Sequence, residues 1–232
     1  MDEVRRGEAE LDGEEAEHLT RVLRAEIGQQ YEISDGARLY LSEVVEARKH
    51  SVRFRVLEEL PAVEPVVRIS LVMSLIKFER FEWMIEKATE LGVETIVPVQ
   101  AERSDKGLEL AARKRVERWR KIARAAGQQS HRMHLPEISP PVRLAQALAF
   151  EGRRIYLEEA PGCPLLLKAA PNPKAGEAVS ILVGPEGGWT DRERSQLAVA
   201  SWAPASLGPQ ILRAETAAIA AVAVLSHAWL IE

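Results

Sequence analysis

The chain has 232 residues, 46% apolar and 28% charged, an ordinary globular composition that fits one large domain or two small ones. A formal net charge of −4 gives no global sign of a nucleic-acid binder, and the single cysteine, Cys163, excludes an internal disulfide and fits a reducing compartment. The acidic first stretch lacks an apolar signal core, and the longest apolar run, residues 217–225, is too short to cross a bilayer, so no export or membrane segment is expected and the cytoplasm is the expected location.

In chain order, residues 18–24 read as a short helix with Leu19, Val22 and Leu23 on one face. The period then changes to two. Tyr31 and Ile33 alternate, Asp35-Gly36 marks a turn, and Leu39 and Leu41 alternate again. In residues 51–57, Val52, Phe54 and Val56 point one way and Arg53 and Arg55 the other. A small antiparallel sheet or barrel is expected, ending at a proline-containing linker over residues 60–65.

Residues 66–75 are apolar enough for a strand buried on both faces. The helix that follows sets Phe81, Met84 or Ile85, Ala88 and Leu91 on one side, with Gly92 as its C-cap. Strands are expected over residues 95–99, 153–160 and 179–183, the second running into an acidic loop. A helix over residues 111–126 carries a stripe of Ala112, Val116, Trp119, Ala123 and Ala126. Alternating strands and helices predict an α/β unit with a largely parallel sheet.

Charge is unevenly spread. Residues 1–17 hold eight acids against Arg5 and Arg6, whereas residues 111–132 hold eight bases against Glu117 alone. The basic stretch is either a polyanion-binding face or a solvated helix face. His131 and His134 are too sparse for a metal site, and Cys163 has no evident activating base, so neither metal nor thiol chemistry is expected.

The segment VSILVGPEGGWTDRE, residues 179–193, carries an apolar strand into a glycine elbow, then into a helix capped by Thr190 and Glu193. It has neither the spacing of a P-loop nor that of a dinucleotide fingerprint, and it carries Glu186 without a lysine, which disfavours a polyphosphate. A ligand without phosphate, or one with positive charge, suits it better. A second Gly-Pro loop, SLGPQILRAETAAIAA over residues 206–221, presents Arg213 and Glu215 where a helix begins. The two loops make a pocket at neighbouring strand ends plausible; a structural turn and an Arg213–Glu215 ion pair are the plain alternatives.

These two stretches, together with EHLTRVLR, IGQQYEISDG, KATELGVETIVPVQAERS and RVERWRKIARAAGQQSHR, resemble in order and over nearly the whole chain the ribosomal RNA small-subunit methyltransferase E family of the SPOUT class. The resemblance implies a PUA-like β-barrel over residues 1–62 and an α/β methyltransferase domain over residues 66–232 with a trefoil knot, which general chain-threading rules would not predict. It implies S-adenosylmethionine as cofactor, a homodimer, and methylation of N3 of a uridine in 16S rRNA. A non-catalytic RNA-binding protein with the same fold is the alternative.

By the same resemblance the cofactor lies among Leu157, Val183, Gly184, Pro185, Glu186, Gly187 and Gly188 on one side and Leu207, Gly208, Ile211, Leu212 and Arg213 on the other. Arg213 is expected to stabilise charge developing on the uracil carbonyls, and Glu215 to orient Arg213 or act as a base. Glu186 is expected to shape the loop or face the cofactor. RNA is expected to meet Arg21 and Arg24 of the barrel, Lys77 and Arg103 near the cleft, and Arg118, Lys121 and Arg132. Three departures from the family pattern stand out: the initial basic-aromatic strand is missing or shortened, Gln210 replaces a common arginine, and Gly127 replaces a common glutamate. The C-terminal helix, residues 215–231, is apolar nearly all round, with Trp229 near its end, so it needs cover on more than one side, either within the subunit or from a partner copy.

Overall fold

The computed structural model describes residues 4, 7–35, 38–61, 67–130, 132–170 and 176–228. Gly36, the linker residues 62–65, His131 and Trp229, on which expectations above fall, lie outside them. The chain divides into two compact units, Met1–Glu64 and Pro65–Glu232.

The first unit contains β1 (Glu8–Asp12), α1 (Gly13–Arg21), β2 (Gln30–Ser34), β3 (Leu39–Arg48) and β4 (Ser51–Leu60). The strands run in the order β1-β4-β3-β2, all antiparallel. In β4 the side chains of Val52 and Phe54 are buried while Arg53 and Arg55 are exposed, as period-two patterning requires. In β3 the buried positions are Tyr40, Ser42 and Val44, which puts Leu39 and Leu41 on the less buried face.

One expectation needs correction here. Helix α1 starts earlier than expected and ends at Arg21. Leu19 is buried, but Val22 and Leu23, past the end of the helix, are 64% and 54% exposed, and the His18 carbonyl accepts from both of their N–H groups as the helix closes. The acidic segment forms β1, whose Glu8 and Glu10 stand opposite Arg55 and Arg53, while most of the residues before it lie outside those described.

The second unit begins with β5 (Val67–Ser74), α2 (Phe78–Glu90), β6 (Thr95–Gln100), α3 (Leu108–Arg113) and α4 (Val116–Gln129). It continues through β7 (Glu137–Ile138), β8 (Val142–Arg143), a 3-10 helix (Leu144–Leu148), β9 (Arg153–Leu157) and α5 (Leu166–Ala169). It closes with β10 (Glu177–Val183), α6 (Asp191–Val199), β11 (Ala203–Ala205) and α7 (Ala214–Ala228). The strands form a parallel sheet in the order β11-β9-β10-β5-β6-β7, with β8 also on β6.

Both faces of this sheet are covered, which explains why β5 and β10 read as continuous apolar runs. Ile69, Leu71 and Met73 join Phe81, Met84, Ile85, Trp119, Ala218 and Val222 in one core, whereas Val72 and Leu182 join Leu144, Trp189, Leu197 and Trp202 in the other. Trp119 is fully buried with its ring 4.7 Å from that of Phe81, so its truncation to alanine is expected to cost about 3–5 kcal/mol.

The single helix expected over residues 111–126 is two helices, interrupted at Lys114–Arg115, although every member of its apolar stripe is buried. At Gly127 a Cβ would lie 2.3 Å from Leu135 Cδ2, the end of a half-exposed side chain that can swing aside, so packing does not require glycine there. Helix α7 buries Ala214, Glu215, Ala218, Ala221, Val222 and Leu225 against α2, α5, β5 and β10. Its other side, with Ile219, Ala223 and Val224, is only partly covered within the chain.

Candidate active site

The elbow forms because the sheet ends where glycine begins. β10 lies between β9 and β5 and runs buried to Val183. A Cβ on Gly184 would sit 3.0 Å from the Trp189 ring, tighter than an ordinary contact, so glycine gives the indole room over the strand end. Gly188 takes φ +67° and its N–H donates to the Pro185 carbonyl at 2.9 Å, closing the turn. Thr190 then caps α6: its Oγ accepts the Glu193 N–H at 3.2 Å, while Glu193 Oε2 accepts the Thr190 N–H at 2.9 Å. Glu193 is itself buried, and its Oε1 accepts the Glu102 N–H at 2.8 Å, which fastens the elbow to the loop after β6.

The second loop follows β11, whose neighbour in the sheet is β9. Gly208 takes φ +126°, and Ser206 Oγ accepts its N–H at 3.2 Å. Leu207 packs against the core, Ile211 is 80% exposed, Leu212 is half-buried and Arg213 is exposed. Between the two loops lies the end of β9, where Leu157 also packs on the core. The Leu157, 183–188 and 207–213 segments therefore stand at the carboxyl ends of three adjacent parallel strands, where α/β sheets receive ligands.

Next to Leu157, Glu158 is buried, and its carboxylate accepts from Arg194 at 2.6 and 3.4 Å and from the Glu159 N–H at 2.9 Å. Burial alone would raise its pKa, but the Arg194 hydrogen bond and the backbone N–H groups outweigh it and hold the carboxyl below the usual carboxylate range.

The charge balance of the elbow differs from its sequence. Arg80, in the first turn of α2, hydrogen-bonds Glu186 through Nη1 and sets its Nε 3.6 Å from Glu215 Oε1. Arg103 donates to the Gly187 carbonyl at 2.9 Å and more distantly to that of Trp189. Two arginines thus converge on a loop that reads as acidic, and both are already engaged. Arg213 and Glu215 do not form an ion pair among the described residues; Glu215 faces Arg80 instead, which leaves the exposed Arg213 guanidinium without an anionic partner there. Glu215 is 5% exposed, and its Oε2 is buried with no hydrogen-bond partner among the described residues; the same holds for Ser74 Oγ at the end of β5.

No local motif marks Arg80. The signal that finds it is positional: it begins the helix that leaves the end of β5, the strand next to β10.

The basic residues fall into two groups. Arg132 is no surface ligand: its Nη1 donates to the Thr89 and Val93 carbonyls, both at 2.9 Å, at the C-terminal end of α2, and burial holds its pKa below the usual arginine range. Arg118 forms a two-point pair with Glu82, Nε and Nη2 each 2.9 Å from a carboxylate oxygen, and Arg115 shares that acid while its guanidinium lies 4.4 Å over the Phe78 ring. Lys77, Lys114, Lys121 and Arg124 are exposed and carry no ion pair among the described residues. In the first unit Arg21 pairs loosely with Glu17 at 3.7 Å, and Arg24 is exposed with φ +53°. That unit holds sixteen acids against nine bases, so the positive surplus of the molecule resides in the second unit.

Among the described residues no group of three or more His, Cys, Asp or Glu is placed to hold a metal, and no helix is long and apolar enough to cross a membrane. Desolvation, with Glu158 nearby, pushes the Cys163 thiol up, away from the reactive thiolate.

A parallel sheet with two glycine loops at neighbouring strand ends follows a small antiparallel unit, and both parts match RNA methyltransferase family models. A family model for the RNA methyltransferase domain matches residues 63–226, and one for the RNA methyltransferase PUA domain matches residues 11–57. The chain belongs to the ribosomal RNA small subunit methyltransferase E family: it is 31% identical to the protein of that name from Bacillus subtilis, over 94% of this chain and 89% of that one. It is 35% identical to the one from Mycobacterium tuberculosis, over 95% of this chain and 88% of the other. The crystal structure of a ribosomal RNA small subunit methyltransferase E from Neisseria gonorrhoeae bound to S-adenosyl methionine superposes with a TM-score of 0.87, at 28% identity, over 99% of this chain and 96% of that chain.

Proposed function

We propose that the chain transfers a methyl group from S-adenosylmethionine to N3 of a uridine in 16S rRNA, in the cytoplasm, as a homodimer joined through its second unit. The observation that carries the reading is the convergence of Leu157, Gly184–Gly188 and the loop before α7 at three adjacent strand ends.

The residues there fit the cofactor. S-adenosylmethionine brings a sulfonium and an ammonium with no phosphate, and supplies an electrophilic methyl group. Gly188, with nothing within 4 Å of where a Cβ would sit, leaves room for the backbone to approach an adenosine closely. Glu215 Oε2, buried without a donor among the described residues, suits a site that receives positive charge or N–H groups. On this reading Leu157, Val183–Gly188, Leu207, Gly208 and Ile211–Arg213 hold the cofactor.

Alkylation at N3 removes a proton and places negative charge on the flanking uracil carbonyls. Arg213, exposed and without an anionic partner among the described residues, is suited to meet that charge. Glu215 is held by Arg80 rather than by Arg213, which favours its acting as an acceptor at the site over its orienting Arg213. Lys77, Lys121 and the neighbouring Lys114 and Arg124 meet the RNA backbone, with Arg21 and Arg24 contributing from the first unit. The partly covered side of α7 lies in the dimer interface.

Calorimetric titration with S-adenosylmethionine and its demethylated product tests the reading. Both are expected to bind. RNA binding without cofactor binding would make the chain a non-catalytic RNA-binding protein.

A further inference from the structure

We propose that Arg80 is a positioning residue of the methyl-transfer site, holding the 184–190 elbow and the first turn of α7 at a fixed separation through Glu186 and Glu215; this rests on reading those loops as the S-adenosylmethionine site. Each loop is anchored elsewhere by its own bonds. The elbow is tied to Glu102, Arg103 and Leu157, and the loop after β11 is tied to Pro164 and Leu166. Among the described residues no hydrogen bond joins the two loops, and the Arg80 guanidinium is the polar connection between the elbow and α7.

The chemistry requires arginine. Its planar fork hydrogen-bonds Glu186 through Nη1 while Nε stands in ion-pair contact with Glu215 at 3.6 Å, whereas a lysine ammonium is a single point charge on a flexible stem. Glu215 needs that charge nearby: it is almost wholly buried, and a buried carboxylate without a cation is strongly disfavoured. Because Glu215 lies two residues beyond Arg213, its placement also sets where the start of α7 presents Arg213. Arg80 thus acts through other groups.

The test uses the full chain, with S-adenosylmethionine Kd by calorimetry, kcat and KM for methylation, and the unliganded thermal midpoint. Arg80→Lys is expected to keep the midpoint while raising Kd roughly tenfold and lowering kcat, with Arg80→Ala larger in the same direction. Glu186→Gln, at an exposed position, is expected to raise Kd less, and Arg80→Lys is expected to add little to Kd in that background because the two share one interaction. Kd and kcat within about twofold of wild type for Arg80→Lys, a fully additive cycle, or a lowered midpoint with unchanged Kd and kcat would overturn the proposal. Should both Arg80 variants fail to fold, Glu186→Gln decides, and an unchanged Kd there counts against the proposal. A wild-type chain that binds no S-adenosylmethionine would instead refute the site reading.

Discussion

The indole N–H of Trp189 donates to the Leu157 carbonyl at 3.0 Å, which joins the elbow after β10 to the end of β9. Trp189 is buried, and its ring stands edge-on to Tyr156 at 6.5 Å. The bond fixes the spacing of two of the three strand ends assigned to the cofactor, and the indole packs tightly against Gly184, where a Cβ would sit 3.0 Å from it.

Gly184→Ala is therefore expected to destabilise the fold by about 1–3 kcal/mol, the usual range for forcing a methyl group into packed surroundings. Its thermal midpoint should fall and its S-adenosylmethionine affinity should drop more than the midpoint alone explains. Trp189→Phe keeps an aromatic ring but removes the N–H that meets the Leu157 carbonyl and part of a buried side chain, and a loss of about 1–3 kcal/mol is expected in denaturant titration.

Arg132 and Lys121 lie close together in sequence but should respond oppositely. Arg132→Met removes two charged hydrogen bonds at the end of α2 and is expected to cost about 1.5–3 kcal/mol while leaving the salt dependence of RNA binding unchanged. Lys121→Ala or Arg124→Ala should leave stability unchanged within about 0.5 kcal/mol. Each should flatten the plot of log K against log salt by about 0.7–0.9. Filter binding across a salt series separates the two behaviours.

The Glu158–Arg194 pair predicts a pH dependence. The folded-state pKa of Glu158 is lowered, so its contribution to stability is fully present above the ordinary glutamate pKa and is lost as pH falls through the folded value. Chemical denaturation at a series of acidic pH values should show wild type losing stability more steeply than Glu158→Gln below the ordinary carboxylate range. Parallel curves would show that the pair contributes nothing.

Arg213→Ala is expected to fold normally, since Arg213 is exposed, and to lower kcat by about 10²–10³-fold if the guanidinium meets the uracil charge. Methylation at near wild-type rate by a variant that still binds S-adenosylmethionine would remove that role.

Much of this architecture is legible in sequence, and the illegible parts have physical reasons. The buried strands of the second unit, the Thr190–Glu193 cap and the stripe from Ala112 to Ala126 are local patterns, read from period and spacing alone. The pairing of Arg80 with Glu186 spans 106 residues and leaves no local pattern, which is why the elbow reads as acidic although it is charge-compensated in the fold. Arg132 reads as one more base in a basic run because nothing nearby shows that its guanidinium turns inward to cap α2. The break at Lys114–Arg115 is hidden for the opposite reason: the apolar stripe continues across it in near-helical spacing. Acid-rich β1 supplies an edge strand in the first unit with only Ala9 and Leu11 as apolar residues, too few to announce period two.

The most direct test of the account is nucleoside mass spectrometry of 16S rRNA, isolated from cells lacking this protein and incubated with the purified chain and isotopically labelled S-adenosylmethionine. The account predicts label in 3-methyluridine at a single position, lost with Arg213→Ala. Label in another nucleoside, or none with a chain shown to bind the RNA, would contradict it.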